Sequence, residues 1–210
     1  MSVRIVMAED HQIVRQGFKA LLEQDGFDVV GEAGDGHEAV RLVEQKKPDV
    51  AILDIAMPLL NGIDAAREIV RVAPGTHIIL LTMYSEAHYV VEALRAGVTG
   101  YLLKTRAADD LARAIREVTR GSVYLSAGIS REVVNAYLAD EATDTNPLTS
   151  RERQVLQLVA EGLTTKEVAG VLGISVKTAE SHRGRIMQKL DIHDTAGLVR
   201  FAIRQGVIRA

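Results

Sequence analysis

Carboxylate side chains accompany two strand-like apolar runs in the first quarter of the chain. Glu9 and Asp10 directly follow the run of residues 3–8, and Asp54 interrupts the apolar stretch of residues 51–57. A continuous apolar run of this length is typical of a buried parallel strand, and ligands bind at the carboxyl ends of such strands. If the two strands are neighbours, the three carboxylates repel one another unless a cation joins them. Hard oxygen ligands of this kind favour Mg²⁺, which keeps several of its waters.

A hydroxyl and an ammonium group end two further strand-like runs. Thr82 ends the run of residues 77–82, and Lys104 ends the run of residues 100–104. A carboxylate beside a metal ion is a nucleophile toward phosphorus, and a hydroxyl donor and a second positive charge stabilise the other phosphoryl oxygens. These residues therefore indicate a covalent aspartyl-phosphate site on Asp54. A nucleotide pocket is not indicated, because the sequence has no Walker glycine loop and no GxGxxG spacing after the first strand.

Strand-like and helical segments alternate five times before residue 121, which predicts an α/β fold with a five-stranded doubly wound parallel sheet. Strand order 2-1-3-4-5 puts strands one and three side by side, so that Glu9, Asp10 and Asp54 meet at one edge of the sheet. Each rim residue alone fits an ordinary strand-to-loop transition, but their joint occurrence at the expected strand ends favours a site. The first helix is expected over residues 11–24 with an apolar stripe formed by Ile13, Val14, Phe18, Leu21 and Leu22.

The rest of the chain divides into a linker and a helical domain. Residues 122–147 are expected to hold a short helix at 130–138 and a small, polar, acidic linker at 139–147. From residue 148 the pattern is helical, with capping boxes that begin at Thr149 and Thr164 and a third helix that begins after Ser175. Two short helices joined by a glycine turn are typical of a helix-turn-helix.

Composition adds a division of charge and an expected location. Residues 148–210 contain ten Lys and Arg against six Asp and Glu, a net of +4, whereas the 15 basic and 22 acidic residues before them give −7. This split favours two domains with different partners. The chain of 210 residues has no cysteine, no run of apolar residues long enough for a membrane helix and no signal-peptide pattern. We therefore expect a cytoplasmic protein without disulfides and without a membrane partner.

Residues 1–121 resemble the receiver domain of bacterial two-component response regulators, which has the CheY-like (flavodoxin-like) fold. The resemblance rests on Glu9-Asp10, Asp54 followed by Met57-Pro58 and Gly62, Thr82, and Tyr101 three residues before Lys104. It implies Mg²⁺ bound by Asp10, Asp54 and the Ala56 backbone carbonyl, with Glu9 nearby, and phosphoryl transfer to Asp54 from the phosphohistidine of a cognate sensor kinase. It also implies that Thr82 and Tyr101 shift together to report the phosphate. Thr105 occupies a position where many receivers have a cis-proline.

Residues 148–208 resemble the LuxR-type helix-turn-helix of the NarL/FixJ family nearly position for position. The resemblance implies a homodimer that reads inverted half-sites in promoter DNA, with RNA polymerase as a further expected partner. On the third helix His182 is expected to be a packed residue rather than a metal ligand. The residues implied to face bases or backbone are Lys177, Glu180, Ser181 and Gly184, flanked by Arg185. Phosphate contacts are expected from Thr149, Thr165, Lys166, Thr178 and Lys189, and dimer contacts from Leu198 and Val199.

The sequence thus predicts a response regulator that binds DNA and is not an enzyme, switched by phosphorylation of Asp54. Two alternatives stay open at this point: a metal-dependent phosphohydrolase that uses Asp54 as nucleophile, and a phosphate-independent adaptor. The mode of control is also open between occlusion of the DNA-binding helix and dimerisation of the receivers. The sequence does not indicate the kinase, the signal, the regulated genes or the sign of regulation.

Overall fold

The computed structural model of the chain describes residues 2–127, 129 and 147–208. The chain divides into two compact units, Met1–Glu141 and Ala142–Ala210. The predicted domain bounds, residues 1–121 and 148–210 with a linker at 122–147, stay predictions. The short helix predicted at residues 130–138, and the predicted linker up to residue 146, lie outside the described residues.

The first unit contains a parallel sheet of six strands with helices on both faces. The strands are β1 (Arg4–Ala8), β2 (Asp28–Ala33), β3 (Val50–Leu53), β4 (His77–Thr82), β5 (Gly100–Leu103) and β6 (Tyr124–Leu125). The helices are α1 (Gln12–Gln24), α2 (Gly36–Lys46), α3 (Gly62–Val72), α4 (Ala87–Arg95) and α5 (Ala107–Val118). The order β2-β1-β3-β4-β5-β6 confirms the predicted fold class and the order of the first five strands.

The sixth strand was not predicted, since its residues were assigned to the linker. Tyr124–Leu125 pairs with β5 in parallel, with Leu125 opposite Tyr101. Two residues are too few for a hydrophobic alternation to be visible in the sequence. They become a strand because the edge of β5 offers unpaired backbone groups.

Alternation of side chains along the central strands builds two apolar layers, one on each face of the sheet. In β3 all four residues are buried: Ala51 and Leu53 belong to one layer, and Val50 and Ile52 to the other. Helices α2, α3 and α4 cover the first layer, and α1 and α5 cover the second. A strand buried on both faces has no polar alternation, which is why β3 reads as a continuous apolar run.

The predicted apolar stripe of α1 is only partly correct. Leu22 is buried and Phe18 packs against the core, but Ile13 is 86% exposed, and Val14 and Leu21 are also exposed. At 100° per residue Ile13 lies about 140° around the helix from Phe18, so the two side chains cannot face the sheet together. Grouping the five apolar residues as one stripe was therefore wrong.

The described residues of the second unit form four helices, and each begins at a polar capping residue. The helices are α6 (Ser150–Ala160), α7 (Thr165–Leu172), α8 (Val176–Leu190) and α9 (Thr195–Arg204). Thr149 and Thr164 form complete capping boxes, which confirms the predicted helix starts. Between α7 and α8, Gly173 adopts φ of 63°, a left-handed conformation that glycine tolerates without strain. In the described part of the chain, no helix is both long and apolar enough to cross a membrane.

Candidate functional site

Asp54 lies directly after β3, beside the end of β1. The Asp54 amide donates to the Ala8 carbonyl at 2.9 Å, and Ala8 is paired with Leu53 in the register of the two strands. Glu9 is therefore a lateral neighbour of Asp54, as the strand order predicts. The two residues are only 1% and 3% exposed. Buried carboxylates of like charge are unfavourable unless a cation compensates them.

Lys104 supplies the compensating positive charge from the same edge of the sheet, where it follows β5, two strands away from β3. Its Nζ lies 2.6 Å from Glu9 Oε2 and 3.0 Å from Asp54 Oδ2. The structure thus brings together three residues that are up to 95 positions apart in sequence. We predicted that Lys104 is the last residue of β5. Instead, β5 ends at Leu103, and Lys104 begins the 3-10 turn Lys104–Arg106. The turn redirects the chain, and the long side chain reaches back over the strand ends.

Asp10 and an unpredicted residue, His11, complete the acidic edge. His11 Nδ1 lies 2.9 Å from Asp10 Oδ1 and 3.2 Å from Glu9 Oε1. Within the described ranges, these three side chains form a group whose potential ligand atoms lie within 4.8 Å of one another. Arg15, one turn into α1, donates to the Glu9 backbone carbonyl and so holds the turn that carries the acids. His11 and Arg15 follow Glu9 and Asp10 within a few residues, and this short spacing is the sequence signal that could have identified them.

The loop after Asp54 is held by two close backbone approaches. The Gly62 amide donates to the Ile55 carbonyl at 2.8 Å, and a Cβ at Gly62 would lie 2.1 Å from the Asp54 carbonyl oxygen. A Cβ at Gly36 would lie 2.0 Å from the Leu60 carbonyl oxygen. Only glycine fits at either position. The loop is therefore clamped between the starts of α2 and α3, which fixes the backbone at Ala56.

Thr82 and Tyr101 are both fully buried and both bind the backbone of Tyr84. The Tyr84 amide donates to the Thr82 hydroxyl at 3.2 Å, and the Tyr101 hydroxyl donates to the Tyr84 carbonyl at 2.9 Å. Burial, reinforced by the nearby carboxylate of Glu86, raises the pKa of the Tyr101 phenol well above its ordinary value, so it remains a donor. The two predicted switch residues are thus linked through the β4–α4 loop.

The chemical capacity of this edge follows from its groups. Asp54 offers a carboxylate oxygen at a strand end, Lys104 an ammonium group, and Thr82 a hydroxyl. The donor set of Glu9, Asp10 and Asp54 consists of carboxylate oxygens, which fits Mg²⁺ better than a soft metal. Such an arrangement can accept a phosphoryl group and neutralise its oxygens.

In the second unit, α8 presents an exposed polar face. Ala179 and Ile186 are buried against the domain core, whereas the residues predicted to face nucleic acid are all exposed. Those residues are Lys177, Glu180, Ser181, Gly184 and Arg185. A shallow depression along this face is lined by Ser175, Lys177, Thr178, Ser181, His182 and Arg185. A polar helix face of this size suits a major groove.

His182 is half-buried at the margin of this face, and its Nδ1 atom is buried without a hydrogen-bond partner in the described residues. The predicted phosphate-contacting threonines have local roles as well. Thr149 caps α6, and the Thr178 hydroxyl lies 2.8 Å from the Ser175 hydroxyl. Lys166 is exposed at the start of α7, next to the half-buried Thr165.

The packing of this unit bears on two predicted contacts. Lys189 Nζ lies 2.7 Å from the buried Glu152 Oε2, so its charge is paired within the domain, and its phosphate contact stays a prediction. Leu198 is 0% exposed because α9 packs this residue inward among the core side chains. Its side chain cannot contact a second copy of the protein. Val199 is half-buried and stays a predicted dimer contact.

The ion pair of Glu152 with Lys189 leads to a stability prediction. Burial opposes ionisation of Glu152, but hydrogen bonds from Lys189 and Thr149 outweigh it and hold the pKa of the carboxyl below its ordinary value. Because the folded pKa is depressed, the stabilisation is complete above the unfolded pKa and is lost as the pH falls through the folded pKa. We expect Glu152→Gln to lower the stability of this unit by about 1–2 kcal/mol at neutral pH, and by progressively less in acid.

Hydrogen exchange of the α6 amides, followed by mass spectrometry, measures this effect in the full chain. Glu167→Gln is the matched control, because Glu167 caps α7 through Thr164 in the same way and no lysine is paired with it among the described residues. If the α6 amides exchange equally fast in Glu152→Gln and Glu167→Gln, the ion pair does not contribute to the stability of this unit.

The comparisons with known proteins agree with this division of the chain. Residues 5–116 match the response regulator receiver domain, and residues 146–202 match the luxR family of bacterial regulatory proteins. The uncharacterized transcriptional regulatory protein YxjL of Bacillus subtilis is 38% identical over 99% of this chain and 98% of its own length. The oxygen regulatory protein NreC of Staphylococcus carnosus is 39% identical over 98% of this chain and 99% of its own.

A solved structure of RcsB from Salmonella enterica serovar Typhimurium is similar over both units. That structure contains promoter DNA and the phosphomimetic BeF3⁻, and it matches with a TM-score of 0.64 and 29% identity over 96% of this chain and 98% of the RcsB chain. The regulators of this family act on transcription and are not enzymes, so the phosphohydrolase alternative is excluded. The protein belongs to the two-component response regulators of the NarL/FixJ family, with a receiver domain and a LuxR-type DNA-binding domain, and acts as a transcription regulator.

Proposed function

We propose that Asp54 is the phosphoacceptor and that a phosphoryl group on it controls DNA binding by α8. The observation that carries the first half is the contact of Lys104 Nζ with both Glu9 and Asp54. A half-buried ammonium group that already spans two carboxylates is placed to pair with a phosphoryl oxygen once Asp54 is phosphorylated. The Thr82 hydroxyl, buried at the next strand end, supplies a further donor.

The phosphoryl group comes from the phosphohistidine of a cognate sensor kinase. In the transfer, an Asp54 carboxylate oxygen forms a bond to phosphorus as the phosphorus–nitrogen bond of the donor breaks, and the imidazole leaves with the electron pair of that bond. The residues that would hold Mg²⁺ are Asp10, Asp54 and, through its backbone carbonyl, Ala56, with Glu9 nearby. When bound, Mg²⁺ neutralises charge on the phosphoryl oxygens. Lys104 screens the charge that the new acyl phosphate brings into a buried site.

The output is sequence-specific binding to promoter DNA by α8 in the major groove. Support comes from the exposed polar face of α8 and from the DNA complex of the RcsB relative. Two copies bind inverted half-sites, with Val199 at the dimer contact, and RNA polymerase is a further partner. Base-facing and backbone contacts come from Lys177, Glu180, Ser181, Gly184 and Arg185. Phosphate contacts come from Thr149, Thr165, Lys166 and Thr178.

The signal leaves the site through Thr82 and Tyr101. Both bind Tyr84, and Tyr101 is also paired with β6, whose following residue Ser126 donates its amide to the Tyr101 carbonyl at 2.9 Å. A shift of Tyr101 on phosphorylation therefore moves backbone that leads toward the second unit. A ligand shifts a conformational equilibrium only by its differential affinity for the two states, and these contacts supply such a difference.

One experiment tests both halves of this function. The full-length protein is incubated with acetyl phosphate and Mg²⁺, and its mass and its affinity for promoter DNA are measured. We expect a stable adduct of about 80 Da, the mass of one phosphoryl group on an aspartate, together with tighter DNA binding. Chelation of Mg²⁺ should prevent both. Absence of an adduct would support the phosphate-independent adaptor instead.

The same assay decides how phosphorylation acts on DNA binding. The fragment from residue 147 to the C-terminus is compared with the phosphorylated and unphosphorylated full chain. Occlusion predicts that the fragment binds more tightly than the unphosphorylated chain. If the fragment binds no better, and only the phosphorylated chain gains affinity, receiver dimerisation is the switch.

A further inference from the structure

The exposed polar face of α8 contains one carboxylate side chain among the residues predicted to face DNA, that of Glu180. Glu180 is exposed, and its neighbours on the same face are Lys177, Ser181 and Gly184. In the part of the chain that the structure describes, no hydrogen bond or ion pair involves the Glu180 side chain. A helix-stabilising role for this residue therefore has no contact to support it.

In the described residues Glu180 is not neutralised by its neighbours on the helix: Lys177, three residues earlier, is at a spacing that allows an ion pair but forms none with it. One turn further on, at the spacing where a lysine would form an ion pair, Gly184 has no side chain. Arg183, three residues on, donates instead to the Thr195 hydroxyl at 2.7 Å. A Cβ added at Gly184 would meet no atom within 4 Å, so glycine is not required there by packing. The surface around Glu180 is open on the side that faces DNA.

A free carboxylate on this face is unfavourable near phosphates unless a donor on a base compensates it. In the major groove the donors are the amino groups of cytosine and adenine. The adenine amino group has an acceptor on each side, its own N7 and O4 of the paired thymine, which repel a carboxylate, whereas the cytosine N4 amino group has an acceptor on one side only, O6 of the paired guanine. A carboxylate therefore discriminates in favour of cytosine.

We infer that Glu180 is a specificity-determining residue that reads a cytosine in each half-site by accepting a hydrogen bond from its N4 amino group. This inference rests on the proposed function, in which α8 lies in the major groove. Glu180 weakens binding to DNA in general, because its charge opposes the phosphates, and it restores affinity only where the cytosine is present. The residue thus contributes selectivity at the expense of overall affinity.

The test is a selection from a duplex library with a randomised core, using phosphorylated full-length protein. Wild type is compared with Glu180→Ala, Glu180→Gln and Asp191→Asn. The last variant is the charge-matched control: Asp191 is exposed beyond the end of α8, and its left-handed conformation at φ of 53° is tolerated by asparagine. Alanine at the exposed position 180 preserves the helix.

We expect the wild-type and Asp191→Asn pools to enrich one motif with a cytosine at the same place in each half-site. The Glu180→Ala pool should retain the rest of the motif and lose that cytosine, and Glu180→Gln should shift the preference toward adenine, which glutamine recognises through N6 and N7. Replacing the cytosine should weaken wild-type binding about tenfold and leave Glu180→Ala unchanged.

An enriched motif whose cytosine preference is undiminished in the alanine and glutamine variants would overturn the inference and leave the proposed function intact. A wild-type pool without any enriched motif would overturn sequence-specific reading itself, and the inference with it. The two failures are therefore distinguishable in one experiment.

Discussion

Asp54→Asn is expected to abolish phosphoryl uptake, because it removes the carboxylate oxygen that we propose attacks phosphorus. Asp54 ends β3 between Glu9 and Lys104, whereas Asp10 has its Oδ1 within 2.9 Å of His11. Asparagine preserves the size of the side chain and the backbone bond to Ala8, but its amide is not nucleophilic toward phosphorus. Mass spectrometry after incubation with acetyl phosphate and Mg²⁺ measures the outcome directly.

The matched control lies at the other end of the same strand. Asp49 precedes β3 at the opposite edge of the sheet, where its Oδ2 accepts the Arg4 amide at 2.7 Å. Asp49→Asn should be labelled like wild type, and Asp10→Asn should be labelled only at raised Mg²⁺ concentration. Labelling that survives in Asp54→Asn would show that another residue is the acceptor.

The meeting of Glu9, Asp54 and Lys104 at one edge of the sheet was predictable because it depends mainly on topology. Strict alternation of strands and helices leaves few allowed strand orders, and the order 2-1-3-4-5 places Glu9 next to Asp54 whatever their side-chain neighbours are. Lys104 was identified for the same reason, although the 3-10 turn in which it lies was not. Its position depends on where β5 stops, and strand ends are the least certain part of a sequence-based assignment.

Features that depend on tertiary neighbours could not be predicted in the same way. Tyr124 and Leu125 form a strand only because β5 presents a free edge, and two residues carry no periodic signal. Leu198 was assigned to a dimer contact from the resemblance, but its burial is decided by packing inside its own domain. From the sequence, Lys189 is expected to be exposed and therefore able to contact a phosphate. Only the structure shows that Glu152 lies beside it and already pairs with its charge.

DNA binding is expected to weaken about a thousandfold between 50 and 200 mM salt, because each phosphate contact contributes about −0.9 to the slope of log affinity against log salt. Three exposed cations, Lys166, Lys177 and Arg185, are available on this surface in each copy. A dimer thus neutralises about six phosphates, which gives a slope of about −5. Fluorescence anisotropy with a promoter duplex and with a random duplex measures this slope.

Single substitutions then separate cations that reach DNA from those that do not. Lys166→Ala should reduce the slope by about 2 in a dimer and weaken binding to both duplexes equally, since phosphates carry no sequence information. Lys189→Gln is the informative comparison, because it removes the same charge from a lysine that is paired with buried Glu152. If Lys189 stays paired with Glu152 on DNA, Lys189→Gln leaves the slope unchanged. A decrease as large as that of Lys166→Ala would mean that Lys189 exchanges its partner for a phosphate on binding, and that the ion pair is a state of the free protein only.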